Sequence, residues 1–210
     1  MTDLPYEKVS ETIWTSATNM ARAGLEVTAI VDELEKQLVG LSDPFAFAYN
    51  DDDEIVDGGY VHNAYYFWGG LIAKGKRSKP FGYLTYGISF WRNEDEELGS
   101  TWPGACQSKI YIGYDTVDGG GWGVEDLFIR GDGQGYDENC KLCSPFLWEC
   151  DGDEESKEMP WRDRAWFYAL PLGKINNKAD ITEKLISPVV KLLSGEEVSW
   201  EKVGAYKFEV

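Results

Sequence analysis

The chain has 210 residues, of which 43% are hydrophobic and 14% aromatic, a composition typical of a folded protein rather than a disordered one. Its formal net charge of −17 disfavours direct binding to nucleic acid, because so negative a surface repels phosphates. The mean hydropathy of −0.39 and the lack of a long apolar run exclude a membrane span. The first residues contain neither a basic segment nor an apolar one of the kind found in signal peptides, which predicts a cytoplasmic protein.

We expect one domain over residues 1–210, because no linker, internal repeat or low-complexity tract divides the chain. Its N-terminal part, residues 1–42, is predicted to be helical. Residues 43–210 are predicted to be rich in strands and to include a long surface loop over 131–164, where Gly, Asp, Cys and Pro replace any clear periodicity.

Two helices are predicted at the N-terminus. Residues 3–22 place apolar side chains every three or four residues, and residues 28–39 do the same with Ile30, Leu34 and Leu38. Gly24 is a plausible stop between them, so the two helices are expected to form an antiparallel pair. The apolar face of the first helix consists of Val9, Ile13, Ala17, Met20 and Ala21.

Alternating or continuous apolar patterns predict strands at 45–49, 60–73, 84–90, 109–114, 127–129 and 165–170. Residues 50–59 are predicted to be an acidic loop, and residues 74–80 a hairpin connection. Near the C-terminus, Asp180 and Glu183 have the spacing of a capping box, and Pro188 predicts a kink or a restart of that helix. A short strand over 205–210 could close the sheet. The fold class is therefore α+β, with an N-terminal helix pair, an antiparallel sheet of about five to seven strands and a C-terminal helix on one face.

Three acidic clusters are the candidate partner-binding residues. If they share one side of the molecule, their charge resembles a phosphate backbone and favours a basic protein surface. The alternative is that they only keep the loops hydrated. The clusters are Asp51, Asp52, Asp53, Glu54 and Asp57; Glu94, Asp95, Glu96 and Glu97; and Asp151, Asp153, Glu154 and Glu155.

The cysteines suggest a second kind of site. Cys140 and Cys143 form a Cys-x-x-Cys pair, a spacing that lets two thiolates reach one zinc ion, and Cys150 could be a third ligand. The alternative is that these are buried or incidental thiols, since the chain lacks a second Cys-x-x-Cys pair and has a single histidine.

Patterns for other chemistry fail on particular residues. The run from Gly70 to Lys76 matches a phosphate-binding loop until Arg77, where Ser or Thr is required to hold magnesium. His62 is the only histidine, and a packed histidine is the usual explanation for one that precedes an aromatic run.

The sequence therefore favours a non-catalytic acidic binding module of the inhibitor, immunity or nucleic-acid-mimic type, which docks on a basic protein surface. The alternatives are a metal-dependent enzyme and a structural subunit of a larger assembly.

Overall fold

The computed structural model describes residues 6–41, 45–49, 54–58, 61–73, 80–89, 108–115, 140–150 and 165–207. These residues form a long N-terminal helix, an antiparallel sheet and a C-terminal helical segment. The predicted α+β class is confirmed.

Both predicted N-terminal segments are helical, but they belong to one continuous helix, α1, which spans Tyr6–Val39. The expected turn at Gly24 is absent, so the two segments do not fold back as an antiparallel pair. Gly24 lowers helix propensity without forcing a stop, and no proline lies between Pro5 and Pro44 to break the hydrogen-bond pattern. The two apolar faces that suggested two helices are successive parts of a single helix.

The described residues form eight strands: β1 Phe45–Tyr49, β2 Glu54–Gly58, β3 Val61–Ala73, β4 Gly82–Ser89, β5 Lys109–Asp115, β6 Cys140–Ser144, β7 Leu147–Cys150 and β8 Ala165–Pro171. They are all paired antiparallel, in the order β1-β3-β4-β5-β8-β7-β6, with β2 also on β3. β1 pairs with residues 69–73 of β3 and β2 with residues 61–66, so the two lie end to end along one edge. The eight strands therefore fill seven positions across the sheet.

Several strand predictions are confirmed and others need correction. β1, β3, β4, β5 and β8 lie where alternating or continuous apolar patterns predicted them, and the segment 127–129 is outside the described residues. The predicted acidic loop 50–59 contains β2, and the predicted loop 131–164 contains the β6–β7 hairpin. Residues 205–207 are not a strand, although the Tyr206 amide donates a hydrogen bond to the Ala169 carbonyl at 2.8 Å.

One side of the sheet packs against the helices to form the core. Val27, Val31, Leu34 and Leu38 of α1 project onto it at spacings of four and three residues. The strands contribute alternate residues to it, in agreement with the two-residue periodicity that predicted β4 and β5. The sheet residues of this core are Phe45, Phe47, Leu71, Leu84, Tyr86, Ile88, Ile110, Ile112, Tyr114, Leu147, Trp166, Tyr168 and Leu170.

The C-terminal helical segment comprises Lys178–Asp180, a π-helical stretch Ile181–Ile186 and Ser187–Leu193. Its cap lies three residues before the predicted capping box, because the Asn177 side chain accepts hydrogen bonds from the Ala179 and Asp180 amides. A final helical turn spans Trp200–Val203.

At the predicted kink or restart near Pro188 the helix type changes without a break in the helical segment: the π-helical stretch ends at Ile186 and α-helical geometry begins at Ser187. A proline has no amide hydrogen, so a carbonyl one turn earlier loses its backbone donor. The hydroxyl of Tyr168 in β8 lies 3.2 Å from the Leu185 carbonyl oxygen and 3.4 Å from that of Lys184, and donates a hydrogen bond there. This buried contact ties the proline-containing turn to the sheet.

Candidate functional site

A groove of about 770 Å³ lies between the C-terminal half of α1 and the chain that enters the C-terminal helical segment. Its apolar floor includes Ile30 from α1 and Ile175 and Ile181 from the other wall. Carboxylates and amines surround this floor. The remaining lining residues are Glu26, Ala29, Asp32, Glu33, Lys36, Asn176, Asn177 and Lys178.

A polar network across the groove fixes its two walls. The Lys178 Nζ lies 2.6 Å from a Glu33 carboxylate oxygen, and the Gln37 Nε2 donates to the other oxygen at 3.0 Å. The Thr182 hydroxyl donates to Gln37 Oε1 at 2.7 Å. Glu33 and Gln37 stand one helical turn apart on α1, while Lys178 and Thr182 stand one turn apart on the facing segment. The two walls of the groove are therefore linked by side chains at matched spacing.

The carboxylate of Glu33 is held in its charged form. Its pKa is lowered from the ordinary value of 4.5, first by the hydrogen bond from Lys178 and then by the one from Gln37, against a smaller opposing effect of desolvation. The pKa of Asp180 is also lowered, chiefly by the hydrogen bond from Lys184, whose Nζ lies 2.5 Å from the carboxylate.

Two further carboxylates of the groove have no such partner. Within the part of the chain that the structure describes, Glu26 and Asp32 make no ion pair or side-chain hydrogen bond, and both are exposed. Carboxylates beside an isoleucine floor suit a lysine or arginine side chain, whose aliphatic part packs on the floor while the charged end meets the acids.

Sequence reasoning did not find this groove. Glu26 and Asp32 are separate acids on α1, and the acidic patterns in the sequence are the dense runs in the connections. The one local signal was the Asn176-Asn177 pair, which is typical of a turn and of a helix cap. The pairing of that turn with α1, some 140 residues earlier, is a long-range contact that spacing does not encode.

Most of the predicted partner-binding residues lie outside the described residues: Asp51, Asp52, Asp53, Glu94, Asp95, Glu96, Glu97, Asp151, Asp153, Glu154 and Glu155. Two are in β2, where Glu54 is opposite Tyr66 and Asp57 is opposite His62.

The strand ends that bracket two of these clusters lie at opposite ends of the sheet. Ser89 and Lys109, which flank the second cluster, are directly paired at one end. Cys150 and Ala165, which flank the third, are directly paired at the other. The topology therefore does not by itself bring the clusters to one side, and their joint action stays a prediction.

The cysteines of the predicted zinc site lie in the β6–β7 hairpin. Cys140 is directly opposite Cys150, and Cys143 falls where the register shifts between Leu142 and Ser144. Among the described residues, no group of three or more His, Cys, Asp or Glu is arranged to hold a metal ion. The side chains of these cysteines are outside that description, so zinc binding stays a prediction.

Comparison with protein-family models, with curated proteins and with solved structures found no match for this chain. None of the helices described is long and apolar enough to cross a membrane.

The lowered pKa of Glu33 predicts a pH dependence of stability. A carboxyl whose pKa is lower in the folded state stabilises that state above the unfolded pKa, and this stabilisation is lost as the pH falls through the folded value. We expect Glu33→Gln to flatten the decline in unfolding free energy below pH 4.5, the ordinary value. Lys178→Gln should flatten it similarly, because it removes the same pair. Urea unfolding of each variant across acidic pH measures this, and an unchanged decline in both would contradict it.

Proposed function

We propose that this protein is a non-catalytic binding module that docks on a basic protein surface in the cytoplasm, as an inhibitor, immunity protein or nucleic-acid mimic does. The observation that carries the proposal is the groove between α1 and residues 175–181. It combines an isoleucine floor with carboxylates that have room for a basic side chain.

The groove suits a protein surface better than a small ligand because it is open and its polar groups stand at its border. Lys36 and Lys178 also line it; Lys178 is paired with Glu33, and Lys36 is one exposed cation against the two exposed acids. The exposed acids Glu26 and Asp32 are therefore the groups available to a partner. A partner whose lysine or arginine enters here would bury its aliphatic stem against Ile30 and Ile175.

The net charge of −17 supports a basic partner independently of the groove. The negative electrostatic field of such a protein accelerates its association with basic proteins and repels nucleic acids. This effect weakens as the salt concentration increases. We propose that the overall charge brings the partner in and that the groove fixes where it binds. The three acidic clusters are proposed to add to the attraction.

Charge reversal separates these two effects. The double variant Glu26→Lys/Asp32→Lys changes the groove, whereas Glu196→Lys/Glu197→Lys makes the same change of net charge at an exposed turn beyond the C-terminal helical segment. Each protein is immobilised, exposed to its native cell extract at low and at high salt, and the captured proteins are quantified by mass spectrometry.

We expect a basic protein to be captured at low salt and reduced at high salt. The groove variant should lose at least about tenfold in affinity for that purified protein, the scale of one lost charge-assisted contact. The control variant should keep most of it. Equal loss in both variants would show attraction by net charge alone and contradict a role for the groove. Failure to capture a basic protein at either salt would contradict the proposed function itself.

A further inference from the structure

The N-terminal half of α1, which we call the projecting half, contributes no residue to the core described above. From Val27 onward the helix buries a side chain at every turn, but residues 8–19 and 21–26 are exposed, apart from the half-buried Thr18. Ile13 is 64% exposed and Val9 36%. An isolated helix of about 20 residues is marginally stable in water, because packing supplies most of the stability of protein helices. This half of α1 therefore presents apolar side chains without the packing that the other half has.

One side of this projecting half carries no charge. At 3.6 residues per turn, Lys8, Glu11, Arg22 and Glu26 lie within a sector of roughly 60° around the helix. The opposite side continues the direction of the buried core face and carries Val9, Ile13, Ser16, Ala17, Met20 and Gly24. We call these six residues the uncharged face. In a chain with a net charge of −17, it offers a basic partner no group to pair with.

We propose that the uncharged face binds the same face of a second copy of this chain, with the two helices antiparallel and crossing near Ala17. The sequence of the face supports this arrangement, because it is nearly symmetric about that point. In an antiparallel pair, Ile13 lies level with Met20 of the second copy and Val9 lies level with Gly24 of the second copy. The small residues Ser16 and Ala17 meet at the crossing, where they allow the two backbones to approach.

Electrostatic repulsion between the two acidic domains favours an antiparallel over a parallel pair of helices. A parallel pair would place two strongly acidic domains side by side. In the antiparallel pair, Val27, where packing on the sheet begins, is ten residues from Ala17, or about 15 Å along the axis. The two domains then begin about 30 Å apart, several times the Debye length of about 8 Å at physiological salt. The second copy thus covers Val9 and Ile13 without bringing the acidic domains together.

The size of the contact sets its expected strength. A helix pair about 30 Å long buries on the order of 1,200 Å² in total, which is at the lower limit for a specific interface. We therefore expect a reversible dimer whose population depends on concentration, and not an obligate one. The groove of the proposed function begins at Glu26, outside this face, so either proposal can fail without the other.

Sedimentation of the full chain from low to several hundred micromolar tests the dimer. The wild type should shift from 23.7 kDa toward twice that mass as concentration rises. Ile13→Glu places a charge in the uncharged face and should remain monomeric throughout. The matched control Thr15→Glu adds the same charge on the charged side and should dimerise like the wild type. Circular dichroism checks that both variants fold, which we expect because both positions are exposed.

A wild type that stays at 23.7 kDa at the highest concentration would overturn the proposal, as would equal disruption by Ile13→Glu and Thr15→Glu. A separate crosslinking experiment tests whether the two helices are antiparallel. A photo-crosslinking residue at position 13 should capture the region of residues 20 and 21 of the second copy. Capture at residue 13 would indicate a parallel pair and overturn the antiparallel arrangement.

Discussion

Replacing Leu34 with alanine is expected to lower the free energy of unfolding by about 3 to 4 kcal/mol, the largest effect we anticipate from any single substitution in α1. Leu34 is fully buried, with 0% of its surface exposed, and lies in the core between α1 and the sheet. Removing its branched end loses transfer free energy and leaves a cavity, because α1 is held in place by its contacts with β1 and the C-terminal helical segment.

The control for this substitution is on the same helix. Leu25→Ala makes the same chemical change at a side chain that is 73% exposed, so it should change stability by no more than about 0.5 kcal/mol. Both variants have alanine in a helix, so helix propensity does not distinguish them. Urea unfolding followed by tryptophan fluorescence measures both values. Similar losses at the two positions would contradict the division of α1 into a packed half and a projecting half.

The sequence predicts the division of α1 into these two halves only in part. The apolar spacing identified both helical stretches, because a period of 3.6 residues is a local property. It did not show that they are continuous, since Gly24 is equally compatible with a C-terminal cap and with an exposed helical position. It also did not show which stretch is packed. Ile13 and Leu34 occupy equivalent positions in the pattern, and only the tertiary contacts separate them.

β4 and β5 were predicted from alternation because their residues toward the helices are large and apolar, while Thr85, Gly87 and Lys109 lie on the other face, although that face is also buried. The β6–β7 hairpin was missed because polar residues and cysteines interrupt the pattern, as at Lys141 and Glu149. Glu149 is nevertheless buried in the sheet. The groove was missed for another reason: Glu33 and Lys178 meet across about two-thirds of the chain, and no spacing rule relates them.

The second large loss of stability is expected from a substitution at Gly87 in β4. It lies directly opposite Tyr111 of β5, on the side of the sheet away from the helices, and the Tyr111 ring crosses the position that a Cβ atom would occupy. Tyr111 is completely buried, so its ring has little room to move. Gly87→Ala should therefore lower the free energy of unfolding by about 2 to 3 kcal/mol through overpacking, although alanine is intrinsically better suited to a strand than glycine.

A double-mutant cycle identifies the cause of that loss. In a Tyr111→Ala background the ring is gone, so adding Gly87→Ala should cost nothing or stabilise the strand slightly. The control Gly173→Ala introduces a methyl group where no atom lies within 4 Å, and should change stability by no more than about 0.5 kcal/mol. Urea unfolding of the four proteins of the cycle gives the coupling between the two positions. An equal cost of Gly87→Ala with and without Tyr111 would mean that the glycine is required for its backbone and not for the ring that lies across it.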